Sequence, residues 1–507
     1  MEIPYRHIEK IKINQFTKDA DSARIDTRDA VLLLLPEKPL KSHWAALAYG
    51  DVIKQRFQRG KRHDKDLNNL VTDLPNKNGT RIIIQTVAPD ASSFELLTTG
   101  RKLATQLLVQ QPATLLIQLA GIKRDSAARL VECTLAAVLS AVCPLPSYKQ
   151  KPAKPAALKD IELFGLPEKL DLAQLRAEVS GCHLARWLSI LPANELTPGS
   201  YRKFIAKLAR AQGWEMEFLD TKALRRRHAG AFLAVSQASP VADAGIVHLR
   251  YRPETRRRGA KRLALVGKGI CFDTGGVNIK PAKYMNGMHE DMQGSAVALG
   301  TLLALSRLQV DHPIDCWLAL AQNHIGARAY KPNDVVTAAN GTTIEIIHTD
   351  AEGRMVLADT LSLACKEKPH LLIDYATLTG ACIYSLSSRY SGVFSNRDAV
   401  RETLITAGRQ SGERVWPFPF DKDFDESIKS DIADVKQCSL EGEADHILAT
   451  RFLNRFVDES VDWIHVDLAA SNRKGGLAHI PSDTTGFGVR YTLNLLQQQA
   501  ALANACT

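Results

Sequence analysis

The 507-residue sequence lacks the long apolar run and the cysteine pattern of a membrane or disulfide-rich protein. Its most apolar helical stretch, residues 130–142, contains Glu132 and ends before Pro144, so it is too short to cross a bilayer. Residues 1–22 contain no apolar core of a secretory signal. The nine cysteines include no CxxC pair, which favours reduced thiols. We therefore expect a soluble cytoplasmic protein without a membrane segment.

Two catalytic motifs are also absent. The sequence has no GxSxG nucleophile elbow and no other nucleophile motif, which argues against a serine or cysteine hydrolase. It also lacks the GxxxxGK[ST] pattern, which argues against a P-loop phosphate site.

Positive charge is in excess, with a formal net charge of +10. Basic clusters at residues 54–62, 225–227 and 256–258 would attract nucleic acid if they formed one surface. Only one aromatic residue, Phe57, lies among these charges, and no nucleic-acid-binding motif accompanies them. We therefore interpret these clusters as solvated loops and helix faces and do not favour a DNA-binding role. A gel shift at low salt would detect DNA binding.

Apolar runs alternate with helical periodicity over residues 1–150 and predict a small N-terminal α/β domain. Residues 148–159 (YKQKPAKPAALK) are rich in lysine and proline and do not suit a packed core. We place a linker and a bridging helix over residues 151–190 and a larger domain over residues 191–507. The predicted strands are residues 30–35, 81–85 and 114–119, and the predicted helices are residues 94–109, a helix near Leu130 and residues 171–191.

Short apolar strands alternate with amphipathic helices in residues 191–507 as well. This pattern predicts a mostly parallel central sheet with helices on both faces, an α/β/α arrangement. Sites in such sheets lie at the carboxyl ends of the strands. The predicted strands are residues 262–266, 314–319, 371–375 and 463–468, and the predicted helices are residues 291–308, 352–366, 401–410, 444–457 and 487–498.

Two segments of this larger domain carry residues suited to chemistry. In the first, residues 266–291, we expect Lys268, Asp273 and Lys280 to lie on loops beyond a strand end, and Asp291 to open a helix. Taken alone, this segment is equally compatible with turns in which Asp and Gly serve only the backbone shape.

The second segment, residues 348–354 (HTDAEGR), places Asp350 two residues before Glu352. In an extended backbone their side chains point to one side. An N-cap role for Thr349 or Asp350 would explain one acid but not two. Arg354 would lie in the first turn of a helix, where the helix dipole disfavours a positive charge, so we expect an anion beside it.

The charges of the two segments suggest a metal centre. Their carboxylates would balance two divalent cations if Lys268 were neutral, because lysine binds a metal only as the uncharged amine and a nearby cation lowers its pKa. Oxygen ligands with one nitrogen suit Zn²⁺, Mn²⁺ or Mg²⁺. Lys280 and Arg354 would remain to stabilise an oxyanion or hold a small anion that acts as base. The four carboxylates are Asp273, Asp291, Asp350 and Glu352.

These segments resemble the leucyl aminopeptidase (cytosol aminopeptidase) family of two-metal peptidases. The family signature NTDAEGR is matched by HTDAEGR at residues 348–354, and its VGKG, FD, GG, IKP and DM blocks are matched within residues 266–292. The similarity runs from about residue 181 to the C-terminus and includes ATLTGA at residues 376–381. Residues 1–150 are similar only in layout. The resemblance implies that residues 191–507 form the catalytic domain.

The resemblance also implies a ligand set for two divalent ions, Mn²⁺ and/or Zn²⁺. Asp273 and Glu352 would bridge the two ions. Lys268 and Asp291 would complete one site, and Asp350 would complete the other.

The remaining roles implied by the resemblance concern catalysis and substrate. Lys280 would polarise the scissile carbonyl, and Arg354 would hold a bicarbonate-like anion that takes the proton from a water bridging the metals. Met288, Thr377 and Gly380 would line the pocket for the N-terminal side chain. The enzyme would release leucine-like, neutral N-terminal residues from peptides and assemble as a homohexamer.

A few positions depart from the family pattern. His348 replaces the asparagine of the signature, and the upstream AENMPSG stretch reads AQNHIGA, with Gln322 and His324. Gln293 and Ser295 replace small residues after the DM block. None is an expected ligand, and we favour a supporting histidine over an additional metal ligand. Since every expected ligand is present, we also favour an active enzyme over a silent family member.

Overall fold

The computed structural model describes residues 3–152, 154–255 and 259–498. The basic cluster at residues 256–258 lies outside the described residues. The chain divides into two compact units, one built on Pro4–Val179 with Leu477–Pro481 and the other on Ser180–Gly476 with residues 482–498. The domain boundaries predicted from the sequence stay a prediction.

The smaller unit contains one sheet of six strands. The strands are β1 (Lys12–Gln15), β2 (Ala30–Pro36), β3 (Asn69–Asp73), β4 (Arg81–Val87), β5 (Thr114–Leu119) and β6 (Asp160–Phe164). Their order is β1-β6-β5-β2-β4-β3, and only the β3–β4 pair is antiparallel. The helices are α1 (Arg6–Glu9), α2 (Ser22–Ile25), α3 (Lys41–Ala45), α4 (Gly50–His63), α5 (Ser93–Leu108) and α6 (Arg124–Val142), and α7 (Ala173–Ile190) follows them.

The apolar runs form strands in this unit because they are buried between parallel neighbours. The first six residues of β2 are all buried, and β2 pairs with β4 on one side and β5 on the other. None of the described helices is both long enough and apolar enough to cross a membrane. Seven of the eight described cysteines are buried, and Cys365 is partly buried.

The larger unit is built on a sheet of eight strands, with a second sheet of three short strands. The strands are β7 (Glu215–Asp220), β8 (Gly245–Tyr251), β9 (Leu263–Asp273), β10 (Ile314–Asn323), β11 (Val335–Thr337), β12 (Thr343–Glu345), β13 (Leu371–Ala376), β14 (Ser391–Ser395), β15 (Val415–Pro417), β16 (Val435–Lys436) and β17 (Asp462–Asp467). The large sheet has the order β15-β14-β17-β13-β9-β10-β8-β7. Its central strands β17, β13, β9 and β10 are parallel, as predicted, and its outer strands include antiparallel pairs.

Ten α-helices lie entirely within this unit among the residues that the structure describes. They are α8 (Pro198–Gln212), α9 (Thr221–Arg226), α10 (Gly230–Ser236), α11 (Ala282–Met285), α12 (Gln293–Arg307), α13 (Glu352–Cys365), α14 (Gly380–Leu386), α15 (Arg401–Ser411), α16 (Asp445–Asn454) and α17 (Val489–Gln497).

Helices α12 and α13 pack on opposite faces of β9. Gly267 faces α12 so closely that an added Cβ would lie 2.5 Å from Ser295 Cα. The neighbouring Val266 belongs to the same buried cluster as Met355 of α13. Because successive side chains of a strand point to opposite faces, Lys268 also points toward α13. The fold thereby directs a lysine side chain at the first turn of a buried helix.

A buried carboxylate holds α13 in place. Asp359 accepts hydrogen bonds from the backbone nitrogen atoms of Phe232 and Ala339, each at 2.7 Å. Burial raises the pKa of Asp359 to about 7, although these backbone donors oppose the shift. The folded protein therefore binds a proton at Asp359 more readily than the unfolded chain does.

This raised pKa predicts that Asp359 makes the protein less stable as the pH rises. The proton that stabilises the folded state is lost as the pH passes from the ordinary pKa of 3.8 through about 7. The side chain of the Asp359→Asn variant cannot ionise. Its free energy of unfolding should therefore increase relative to that of the wild type as the pH rises from about 5 to about 8. Urea unfolding at several pH values measures this difference, and a difference that stays constant would contradict the prediction.

Candidate active site

Lys268 is surrounded by groups from three separate parts of the chain. Its side chain is 4% exposed, and its Nζ lies 2.8 Å from Asp291 Oδ1 and 2.9 Å from Glu352 Oε1. The ammonium group also donates to the carbonyl oxygen of Thr377 at 2.9 Å. The two segments singled out in the sequence therefore meet at this amine.

The loop position predicted for Lys268 and Asp273 is wrong. Strand β9 continues through Asp273 because its backbone keeps pairing with β10, where Lys268 lies opposite Ala319 and Asp273 lies opposite Asn323. Lys280 does lie in the loop that follows the strand. The paired strand holds Lys268 and Asp273 more rigidly than a loop would.

Asp273, Asp350 and Glu352 form an acidic cluster in which one carboxylate oxygen from each lies within 4.8 Å of the others. Lys280 lies against this cluster, with its Nζ 2.9 Å from Asp273 Oδ2 and 2.6 Å from Asp350 Oδ1. Glu352 is the first residue of α13, and the N-cap is Ala351 without a side-chain hydrogen bond. The N-cap interpretation of this segment is therefore wrong, and Asp350 faces Lys280 instead.

The donor atoms of the site fit divalent metal ions. Among the described residues, Asp291 Oδ2 and Glu352 Oε2 are buried without a hydrogen-bond partner. A buried polar atom left in this way costs about 1–3 kcal/mol. Burial, together with the nearby Asp273 carboxylate, raises the pKa of Glu352 to about 8 and that of Asp350 to about 7. Cations would satisfy the oxygens and keep the carboxylates ionised.

The protonation of Lys268 depends on those same carboxylates. Burial lowers the pKa of Lys268, but Asp291, Glu352 and Asp273 raise it by more, and the net direction is upward. The neutral amine expected from the sequence therefore requires cations that offset the negative charge of the cluster.

Arg354 lies in the first turn of α13 and is buried. Its Nη1 donates to the carbonyl oxygen of Gln437 at 3.1 Å, and its Nη2 donates to Asp445 Oδ1 at 2.8 Å. The sequence led us to expect an anion beside Arg354, and Asp445 is such an anion. No sequence motif pointed to Asp445, which is the first residue of α16.

The three predicted pocket residues line the same cavity as the acidic cluster. Met288 begins a short 3-10 helix, and Gly380 begins α14. The hydroxyl of Thr377 donates to Asp291 Oδ1 at 2.8 Å, so Thr377 also orients a carboxylate. Apolar side chains, including Ile383 and Leu440, line the cavity as well and are exposed.

Comparison with known proteins assigns the chain to a family. The sequence model of the cytosol aminopeptidase family, catalytic domain, matches residues 183–493. The chain belongs to the cytosol aminopeptidase family. The predicted family is thus confirmed. The predicted activity, that of a metal-dependent aminopeptidase and therefore a hydrolase, is confirmed with it.

Relatives and a solved structure agree with this assignment. The chain is 39% identical over 360 residues to a "Probable cytosol aminopeptidase" of Synechococcus sp., which covers 70% of this chain and 72% of the relative. It is 34% identical over 476 residues to a protein of the same description from Parasynechococcus marenigrum, covering 92% and 95%. A structure of a tomato leucine aminopeptidase mutant matches with a TM-score of 0.85 at 27% identity, covering 96% of this chain and 97% of that chain. The predicted fold class is therefore confirmed.

The histidines that depart from the family signature make contacts with polar groups of the protein. His348 lines the cavity, and its ring Nδ1 lies 3.3 Å from the backbone nitrogen of Asp350, from which it accepts. Burial and nearby cations such as Lys280 lower the pKa of His348, which favours the neutral, accepting ring. His324 Nε2 lies 3.2 Å from Gln322 Oε1. His348 thus orients the loop that carries Asp350.

Two amides that the sequence did not single out also hold the site together. Asn323 donates to Asp273 Oδ1 at 2.8 Å. The side-chain oxygen of Gln437 accepts from the backbone nitrogen of His348 at 3.1 Å, and its Nε2 donates to the carbonyl oxygen of Ala351 at 3.1 Å. Isolated amides lack a motif of their own, so only the folded structure identifies them.

Proposed function

We propose that the protein releases neutral, leucine-like residues from the amino termini of peptides at a centre of two divalent ions, Mn²⁺ and/or Zn²⁺. The observation that supports this proposal is the buried group of carboxylates around Lys268 and Lys280, with two carboxylate oxygens that lack protein partners among the described residues.

Each acidic residue has a proposed place in this centre. Asp273 and Glu352 would bridge the two ions, Lys268 and Asp291 would complete one site, and Asp350 would complete the other. When bound, such a pair of ions supplies Lewis acidity and makes water a nucleophile at neutral pH.

The other residues of the cavity would bind and orient the peptide. The free α-amino group of a substrate would bind at this end of the cavity as a neutral amine, which would restrict cleavage to amino termini. Lys280, with its side chain 14% exposed, would donate to the scissile carbonyl oxygen as negative charge develops there. Met288, Thr377 and Gly380 would contact the N-terminal side chain. The apolar wall near Ile383 supports the preference for neutral residues.

Metal removal tests this function directly. We expect the metal-depleted full chain to be inactive on leucine amide and to regain activity when Mn²⁺, Zn²⁺, Co²⁺ or Mg²⁺ is restored singly. A panel of aminoacyl amides would rank the preferred residue, and N-acetyl-leucine amide should stay intact because its amine is blocked. Cleavage by the metal-depleted protein, or of the acetylated amide, would contradict the proposal.

A cytoplasmic location and a homohexamer are also proposed, both supported by the family resemblance. Light scattering coupled to size-exclusion chromatography would measure the assembly. Peptides are the proposed partners, in line with the family match.

A further inference from the structure

The carboxylate that pairs with Arg354 changes what this arginine is able to hold. Its Nη2 contacts Asp445 Oδ1 at 2.8 Å and its Nη1 contacts the Gln437 carbonyl at 3.1 Å, so both terminal nitrogens are engaged by the protein. A bicarbonate ion at this guanidinium would meet the Asp445 carboxylate, which has the same charge. The structure therefore does not fit the anion that the family resemblance implied for Arg354.

Asp445 lies in the catalytic cavity and not on a remote surface. It lines the same cavity as Glu352, Asp350 and Lys280, and its side chain is 30% exposed, whereas that of Arg354 is 3% exposed. One end of this ion pair is thus fixed in the protein interior, and the other end is open to the cavity where a peptide would bind.

The backbone before Asp445 supports a specific placement. Ala444 adopts the left-handed conformation with φ 51° and ψ 29°, which residues other than glycine rarely adopt. Such a conformation is strained and persists only where the surroundings require it. Asp445 follows as the first residue of α16, where the helix dipole stabilises a negative side chain.

We propose that Asp445 takes the place of the bicarbonate-like anion at Arg354 and serves as the proton acceptor of peptide hydrolysis. This proposal rests on the proposed function. The oxygen of the attacking water forms a bond to the scissile carbonyl carbon, and one proton of that water passes to the Asp445 carboxylate. When the C–N bond breaks, Asp445 returns this proton to the leaving amine. Arg354 holds Asp445 in position through the contact between its Nη2 and Asp445 Oδ1.

The experiment compares activity in carbon-dioxide-free buffer with activity at increasing bicarbonate, using the metal-loaded full chain and leucine amide. The wild type should turn over equally in both. Asp445→Ala should lower kcat by about 10²–10⁴-fold, the usual contribution of a general base. Added bicarbonate or formate should restore part of this loss in a saturable manner, because the small anion enters the space beside Arg354. Asp445→Asn should be equally slow but not rescued, because the amide fills that space.

The chain provides a matched control on the same helix. Arg451 of α16 pairs with Asp425 at 2.7 Å, with side chains 7% and 30% exposed, and neither residue lines the cavity. Asp425→Ala should remove a comparable ion pair but keep the wild-type kcat, with no response to bicarbonate. Equal losses in Asp425→Ala and Asp445→Ala would assign Asp445 a structural role and overturn the proposal.

Two further results would overturn it. One is a wild-type enzyme that bicarbonate stimulates several-fold, and the other is Asp445→Ala with full kcat in carbon-dioxide-free buffer. Since the wild-type titration needs no variant, the proposal stays testable even if Asp445→Ala fails to fold. If the wild type were inactive with every metal, both the proposed function and this inference would be contradicted. If bicarbonate stimulated the wild type, only this inference would be contradicted.

Discussion

Replacement of Lys280 by alanine is expected to lower kcat by about 10²–10³-fold, which corresponds to a loss of about 3–4 kcal/mol of transition-state stabilisation. The loss follows from the position of the Lys280 ammonium, which lies against Asp273 and Asp350 at the edge of the acidic cluster. A donor held there in advance stabilises the oxyanion without reorganising during the reaction.

The same variant should keep its bound metal. Lys280 is itself a cation next to the proposed ligands Asp273 and Asp350, so its removal leaves their carboxylates more negative and more attractive to cations. We therefore expect the metal content, measured by elemental analysis, to equal that of the wild type while kcat falls. KM should change less than kcat, because the interaction is strongest in the transition state.

A neighbouring lysine provides the control for Lys280. Lys283 of α11 is exposed, and its Nζ lies 5.5 Å from the ring centre of Tyr284. Lys283→Ala removes the same charge three residues away and should leave kcat unchanged. If Lys280→Ala turned over at the wild-type rate, Lys280 would have no role in catalysis, and if it lost its metal, the residue would belong to the metal centre instead.

The central strands were predictable because their signal is local. The apolar run of residues 114–119 coincides with β5, and residues 371–375 differ from β13 by one residue. Both strands are buried between parallel neighbours, which requires a continuous apolar run.

Strands β7 and β8 were missed because polar residues interrupt their apolar pattern. Strand β7, EMEFLD, lies at the edge of the sheet, and Leu219 is its only buried residue. Strand β8, GIVHLRY, contains His248, whose Nε2 lies 2.9 Å from Asp315 Oδ1 on the adjacent strand. A buried polar side chain of this kind is tolerated only with a hydrogen-bond partner, and the partner is 67 residues away in the sequence.

The same contrast separates the predicted and unpredicted parts of the site. Asp350, Glu352 and Arg354 belong to one contiguous motif, so their proximity is set by local backbone. Asp445 reaches Arg354 across 91 residues, and only the docking of α16 beside α13 brings them together. The position of Arg354 at a helix N-terminus predicted an anion beside it. Which residue supplies that anion depends on how α16 packs beside α13.

A single methyl group at Gly353 is expected to disable the metal centre without unfolding the protein. A Cβ at this position would lie 2.6 Å from Lys268 Nζ and 2.7 Å from its Cε. These atoms form the flexible end of a side chain, so Lys268 would move away from Asp291 and Glu352 and the backbone would stay in place. Displacement of the Lys268 amine from this position should weaken metal binding by roughly 10–100-fold.

The stability of Gly353→Ala should change little because two effects oppose each other. Alanine favours a helix over glycine by about 1 kcal/mol, which offsets the displacement of one side chain. Gly294→Ala in α12 is the contrasting variant, because its Cβ would lie 2.1 Å from the Tyr375 backbone oxygen, which cannot rotate away. Overpacking against backbone should cost about 1–3 kcal/mol or more of unfolding free energy.

Calorimetric metal titration and thermal unfolding of the metal-depleted variants separate these two effects. Gly353→Ala should unfold at the wild-type temperature but bind metal weakly, whereas Gly294→Ala should unfold at a lower temperature. Wild-type metal affinity in Gly353→Ala would show that the Lys268 amine is not a ligand. Since the clash is confined to Lys268, the comparison tests the least usual element of the proposed centre, a lysine that binds metal as a neutral amine.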